Sequence, residues 1–231
     1  MMSSRSSPIS PRKMIAILWT SMLALLCLVP VVQAESLQSG VYVIDKPGPS
    51  GQGGRQLYLA VNGSDITGYY SYALSRQYDA SLPDPTCRFF LSGTLSNKSK
   101  VDLKTWYVAD TGNKLVDGDS FSLTASDAGH WVVHISDDAT FANCDISTLI
   151  DGDAMSLKKL QPWAVIAAVT SDRSYFYSEP DNGHRGRAYI VRGNAMAVSK
   201  DSDAWVFGTY LDTVKDSMSG WVHRETLMYS H

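Results

Sequence analysis

The sequence predicts an all-β protein in two parts: a disulfide-stapled β-sandwich or barrel, followed by a small, strongly curved antiparallel barrel. Three observations carry this expectation. Short runs rich in Val, Ile, Tyr, Phe and Trp recur along the chain, broken at close intervals by Gly, Pro, Asn and Asp. Cys87 and Cys144 remain as an even pair once Cys27 is assigned to a leader. Residues 158–162, Lys-Lys-Leu-Gln-Pro, read as a short linker: Pro162 disfavours helix before it, and the strand pattern changes register there.

The leader is residues 1–34. Arg5, Arg12 and Lys13 precede an apolar run from Met14 to Val29, Pro30 breaks it, and Val32-Gln33-Ala34 offers small residues for cleavage after Ala34. The run is short and no stop-transfer charges follow, which disfavours a permanent membrane helix. Leu26 stands where a lipoprotein needs a small residue before Cys27. The expectation is a secretory signal peptide, a periplasmic or secreted protein, and no membrane insertion after cleavage. The whole chain carries a formal net charge of −3, and losing that basic leader makes the remainder more acidic. Such a balance argues against nucleic acid and anionic membrane surfaces as partners. In an oxidising compartment Cys87 and Cys144 read as one disulfide. Closing a loop of that span restricts the unfolded chain by about 4 kcal/mol in the chain-entropy model.

Domain 35–160 opens with a strand at Gly40 to Ile44, ended by turn residues 45–54. A second run, Leu57 to Val61, meets Asn62-Gly63, a strong hairpin signal, and Ile66 to Tyr72 continues with Gly68 as an expected bulge or kink. After a Pro-Asp-Pro turn at 83–85, Cys87 to Leu91 is mostly apolar and reads as a strand buried on both faces. Val101, Leu103 and Thr105 share one face of the next strand. Residues 110–119 read as turn-rich, and Phe121 and Leu123 restore the period of two. Trp131, Val133 and Ile135 face one way in a further strand, and Cys144 falls in a polar loop within reach of Cys87.

Domain 162–231 carries the most specific pattern. Ser178-Glu179-Pro180 follows an early strand, Val191-Arg192-Gly193-Asn194 makes a tight turn before Ala195 to Val198, Trp205-Val206 opens another strand, and Gly220-Trp221-Val222 closes the set. These motifs resemble the bacterial SH3-like domain, a module of cell-envelope proteins, over about the last third of the chain. The resemblance implies a small SH3-like β-barrel with a ligand groove bordered by Tyr177 and Glu179. At these positions many members instead carry Arg and Gly.

Catalytic chemistry finds no positive support. His130 and His134 have helical metal-site spacing, but Trp131, Val132 and Val133 indicate a strand, on which four residues span about 13 Å, too far to share one ion. No metal site and no cofactor is expected. Cys87 leads into a strand and has an oxidation partner, so it is not read as a nucleophile. No Gly-x-Ser-x-Gly elbow occurs, and 51–54 lacks the Lys and hydroxyl residue of a phosphate loop. Asp117/Asp119 and Asp151/Asp153 flank glycines and read as turn chemistry rather than glycosidase carboxylates.

A binding surface is what remains. Period two places Tyr175 and Tyr177 opposite Phe176, so with Phe176 in the core both reach solvent, beside Trp221 and His223. Together with Glu179 these form the expected binding set, in competition with a reading in which the aromatics merely fill a small core. The first functional expectation is a non-catalytic periplasmic inhibitor or immunity protein that blocks a cell-wall hydrolase or toxin. The alternative is a peptidoglycan-binding protein that anchors or senses the wall through its SH3-like domain.

Overall fold

The two-residue period of side-chain direction shapes the amino-terminal part, where each strand turns one row of side chains inward. The computed structural model describes residues 36–44, 55–73, 86–111, 114–126, 129–141, 143–144, 148–211 and 218–229. The expected leader, the turns at 45–54 and 83–85, and the phosphate-loop comparison at 51–54 lie outside them. Eight antiparallel strands, β1 (Gly40–Ile44), β2 (Gln56–Asn62), β3 (Asp65–Ala73), β4 (Thr86–Asn97), β5 (Lys100–Val108), β6 (Leu115–Ala125), β7 (Trp131–His134) and β8 (Ala154–Leu160), pair in sequence order. Pairing of β8 with β1 closes the barrel and removes its edges.

Inside lie Leu57, Leu59, Tyr70, Phe89, Leu91, Leu103, Leu123 and Met155, all essentially inaccessible. Gly63, with φ of 64°, turns the β2–β3 hairpin as expected. Gly68 is not a bulge: the register runs through it unbroken on both sides. A Cβ there would lie 2.5 Å from Leu91 Cδ1 and 2.6 Å from the Tyr58 carbonyl oxygen, so glycine makes room for neighbours inside the barrel. Residues 115–119, expected as turn, belong to β6, with Asp117 opposite Trp106. Lys158, Lys159 and Leu160 are likewise the end of β8 rather than linker.

The disulfide joins Cys87 at the start of β4 to Cys144, which also form an isolated antiparallel bridge. A second link was invisible in the sequence. Arg55 and Asp153 pair within the protein, their side chains 1% and 2% exposed. Arg55 Nη1 donates to Asp153 Oδ2 at 2.5 Å and to the Thr148 carbonyl at 2.8 Å, and Nη2 reaches Asp153 Oδ1 at 3.3 Å. The Ile150 amide donates to the same carboxylate, and the Tyr70 hydroxyl meets Thr148 Oγ1 at 2.8 Å. Burial pushes the Tyr70 phenol well above its ordinary pKa, against the opposing effect of that hydrogen bond.

The second sheet contains β9 (Val165–Val169), β10 (Ser174–Tyr177), β11 (Arg185–Ile190), β12 (Ala195–Ser202), β13 (Trp205–Leu211), β14 (Ser219–His223) and β15 (Leu227–Met228), ordered β11-β10-β14-β13-β12-β9-β15. It curls into a half-barrel around Phe176, Ile190, Met196, Val198, Val206 and Val222. Gly193, at φ of 79°, makes the tight turn before β12. On its other face Ile166, Ala168, Ala195 and Ala197 pack with Trp163 against Tyr58, Tyr69, Phe90 and Trp106 of the barrel's exterior. This explains why Phe89 and Phe90 are both buried: one points into the barrel and the other into the seam. The Ile166 amide also donates across the seam to Thr67 Oγ1 at 2.8 Å.

Asp153→Ala leaves the Arg55 guanidinium buried without its carboxylate. Breaking a buried pair in this way costs about 3–5 kcal/mol. Urea denaturation of the oxidised protein is expected to show that loss, whereas Lys100→Ala, in an exposed pair with Asp102, shifts stability by less than about 1 kcal/mol.

Candidate functional site

Alternation along β10, β13 and β14 lines one face of the half-barrel with core residues and the other with rings. Phe176, Val206 and Val222 face inward. Register then sets the outward row: Tyr177 lies opposite Trp221, Trp221 opposite Phe207, and Trp205 opposite His223. Where β9 and β12 meet the barrel this outward face is covered. Across β13, β14 and β10 it is a partly exposed aromatic surface.

Three ring groups stand on it. Tyr177 meets Trp205 edge-on at 4.8 Å and His223 edge-on at 5.4 Å, and Trp205 lies 3.9 Å from the His223 ring. His223 Nε2 is 3.1 Å from Asn182 Oδ1, in a short 3-10 turn that begins after Asp181. Trp221 packs edge-on to Phe207, over which Lys200 Nζ sits at 5.4 Å. Farther out, Tyr175 and Tyr189 are 5.5 Å apart on β10 and the edge strand β11. Arg185 lies over the Tyr175 ring at 4.8 Å and Arg173 over Tyr189 at 5.0 Å. A hydrogen bond to Tyr175, reinforced by charge interactions with both tyrosines, raises the Arg173 pKa above its ordinary value. Cations laid flat on aromatic faces keep their N–H edges turned toward the surroundings.

Of the expected set, Tyr175, Trp221 and His223 share this surface and are partly exposed. Tyr177 is on the same side but does not reach solvent: it is only 9% exposed, because Trp205 and His223 from neighbouring strands cover it. Glu179 is exposed beyond the end of β10, 3.9 Å from His184, which also lies 3.4 Å from Asp181. Sequence reasoning missed Arg173, Arg185, Tyr189, Phe207 and Lys200. Their signal was the spacing Arg173-x-Tyr175, together with a basic edge strand that carries Arg185, Arg187 and Tyr189.

The other candidates separate. His130 Nδ1 is 2.9 Å from Ser156 Oγ, while His134 Nε2 is 2.7 Å from Thr124 Oγ1 and its Nδ1 lies 3.8 Å from Asp151. Asp119 accepts from the Thr140 amide and hydroxyl, and Asp153 belongs to the buried pair with Arg55. Among the described residues no group of three or more His, Cys, Asp or Glu is arranged to hold a metal ion. Comparison with family models, curated proteins and solved structures finds no match to this chain.

Because it is covered by two rings, Tyr177 supports the sheet. Tyr177→Ala is expected to cost on the order of 3 kcal/mol in chemical denaturation, as truncation of a buried aromatic does. Tyr189→Ala, at a residue 43% exposed, changes stability by less than about 1 kcal/mol.

Proposed function

We propose that this is a non-catalytic binding protein of the cell envelope that holds peptidoglycan through the outer face of its second sheet. The observation that carries the reading is the ring row Tyr175, Tyr189, Trp221 and Phe207 with Arg185, Arg173 and Lys200 laid along it. Aromatic faces suit the apolar faces of sugar rings, and guanidinium edges suit the carboxylates of the wall's peptide stems. His223 and Asn182 add hydrogen-bonding capacity beside the rings. A bacterial SH3-like module in the second sheet, a signal peptide at 1–34 and the disulfide all fit an envelope location.

The cations favour one of the two partners considered. A blocker of a basic hydrolase or toxin needs negative charge at its contact surface, and Glu179 was the residue that offered it. The side chains resting on the rings are basic, and Glu179 itself lies beside His184. Electrostatic complementarity therefore favours a carboxylate-bearing ligand over a Lys- or Arg-rich one.

The protein is expected to sediment with purified, protein-free peptidoglycan sacculi and to release as salt rises. Tyr175→Ala combined with Arg185→Gln should weaken retention by about tenfold or more, the equivalent of roughly 1.4 kcal/mol, with the melting curve nearly unchanged. Failure to sediment, with stoichiometric capture of a basic hydrolase by the same protein, would replace this reading with the inhibitor one.

A further inference from the structure

A second cleft lies away from the ring row, at the fork where β5 leaves β4. Pairing between these strands ends at Phe90 and Trp106. Beyond that point β4 runs back to Thr86, with residues 143–144 as its partner. The Arg88 amide donates to the Asn143 carbonyl at 3.1 Å, Asn143 Nδ2 donates to the Arg88 carbonyl at 2.8 Å, and the disulfide fixes the next residue pair. β5 instead continues on β6 as far as Val108. The opening has a volume of about 490 Å³, and its lining includes Arg88, Asn143, Asp110 and the turn before β12. That volume is ample for a small ligand.

The charges in this cleft are unevenly satisfied. Arg192 donates to Asp172 Oδ1 at 3.0 Å, so that pair neutralises itself. Arg88 lines the same cleft, partly buried, and its Nε is enclosed with no hydrogen-bond partner among the described residues. A guanidinium presents paired N–H donors in a plane, a shape complementary to a carboxylate. The enclosed Nε is out of a ligand's reach, so contact falls to the part of the guanidinium that lines the cleft, which no carboxylate among the described residues engages. Asp110, exposed on the rim, disfavours a second negative charge. Tyr69 and Phe90 are nearly covered, so the body of the ligand would lie against a mostly polar wall that includes Ser71, Thr86 and Asn143.

We propose that this cleft binds the carboxylate of a small acid that carries one negative charge, with Arg88 as its anchor. A peptide carboxy terminus and a free short-chain acid share that chemistry. The site does not depend on the wall-binding reading, because its residues are separate from the ring row.

The test is nuclear magnetic resonance of the oxidised full-length protein, following the Arg Nε–Hε signals during titration with Ala-Ala and Ala-Ala amide (both N-acetylated, so that the amino end carries no charge), butyrate and glutarate. Ala-Ala or butyrate should shift the Arg88 signal saturably at millimolar concentration. Preference for Ala-Ala over butyrate assigns the site to peptide ends, and the reverse to free acids. The amide and the dianion glutarate should each bind at least tenfold more weakly than the better monoacid. Arg88→Gln should lose at least tenfold, and Arg88→Lys, which keeps the charge but not the planar fork, should lose part of that. Tyr189→Ala on the ring row should bind the acids as the unaltered protein does. The proposal is overturned if neither monoacid shifts the Arg88 signal, if the amide binds as well as the acid, or if folded Arg88→Lys and Arg88→Gln both bind normally.

Discussion

The structure depends on β9 and β12 having two buried faces. Ala167, Val169, Met196 and Val198 turn into the half-barrel, while Ile166, Ala168, Ala195 and Ala197 turn toward the barrel's outer wall. The second set is mostly alanine for a physical reason. Large rings, Tyr58, Tyr69, Phe90 and Trp106, already project from the barrel, and only small side chains let the strand backbones approach them closely enough for dense packing. Removing either layer exposes the apolar side of the other, so each helps fix the other's curvature. The part of the second sheet left free is consequently the far side, across β10, β13 and β14, and that is where the aromatic row stands.

Much of the barrel was legible because its chemistry is local. A β-rich run ended by turn residues announced β1, alternation announced β5 and β7, Asn62-Gly63 announced a hairpin, and a mostly apolar run announced that β4 is buried on both faces. What alternation cannot supply is depth. It placed Tyr177 on the outward side correctly, but whether an outward residue reaches solvent depends on Trp205 and His223, which arrive from β13 and β14. Asp117-Gly118-Asp119 has turn composition, yet pairing with β5 draws it into β6. Lys158 and Lys159 look like linker but extend β8 against β1, with Lys159 opposite Val41. In each case cross-strand bonding overrode local preference.

The Arg55–Asp153 pair was illegible for a different reason. Its members are widely separated in sequence, and neither sits in a recognisable motif. They meet because β1 ends between them: Arg55 directly precedes β2, Asp153 directly precedes β8, and both strands flank β1. The Ile44 amide donates to the Arg55 carbonyl at 3.3 Å, so the backbone that ends β1 is itself tied to this pair. Such a link specifies which strands meet at closure more sharply than nonspecific apolar packing does. Its partners are lost in every register that shifts β2 or β8 relative to β1.

Electrostatics shows why the average charge of the chain is a poor guide to the charge of this aromatic face. A formal net charge of −3 describes the whole sequence, but a ligand within contact distance feels only nearby, unneutralised groups. Around the second sheet two acids are locally neutralised, Asp172 by Arg192 and Asp201 by Arg224. Arg185 is not tied to a carboxylate by these contacts and instead rests on the Tyr175 ring, as Arg173 rests on Tyr189. A guanidinium supported on a ring is held in place without spending its N–H donors on an acid, so they stay available to an incoming anion. A mildly acidic chain thus presents a cationic aromatic edge, built by side chains on and just before β10 and on the edge strand β11.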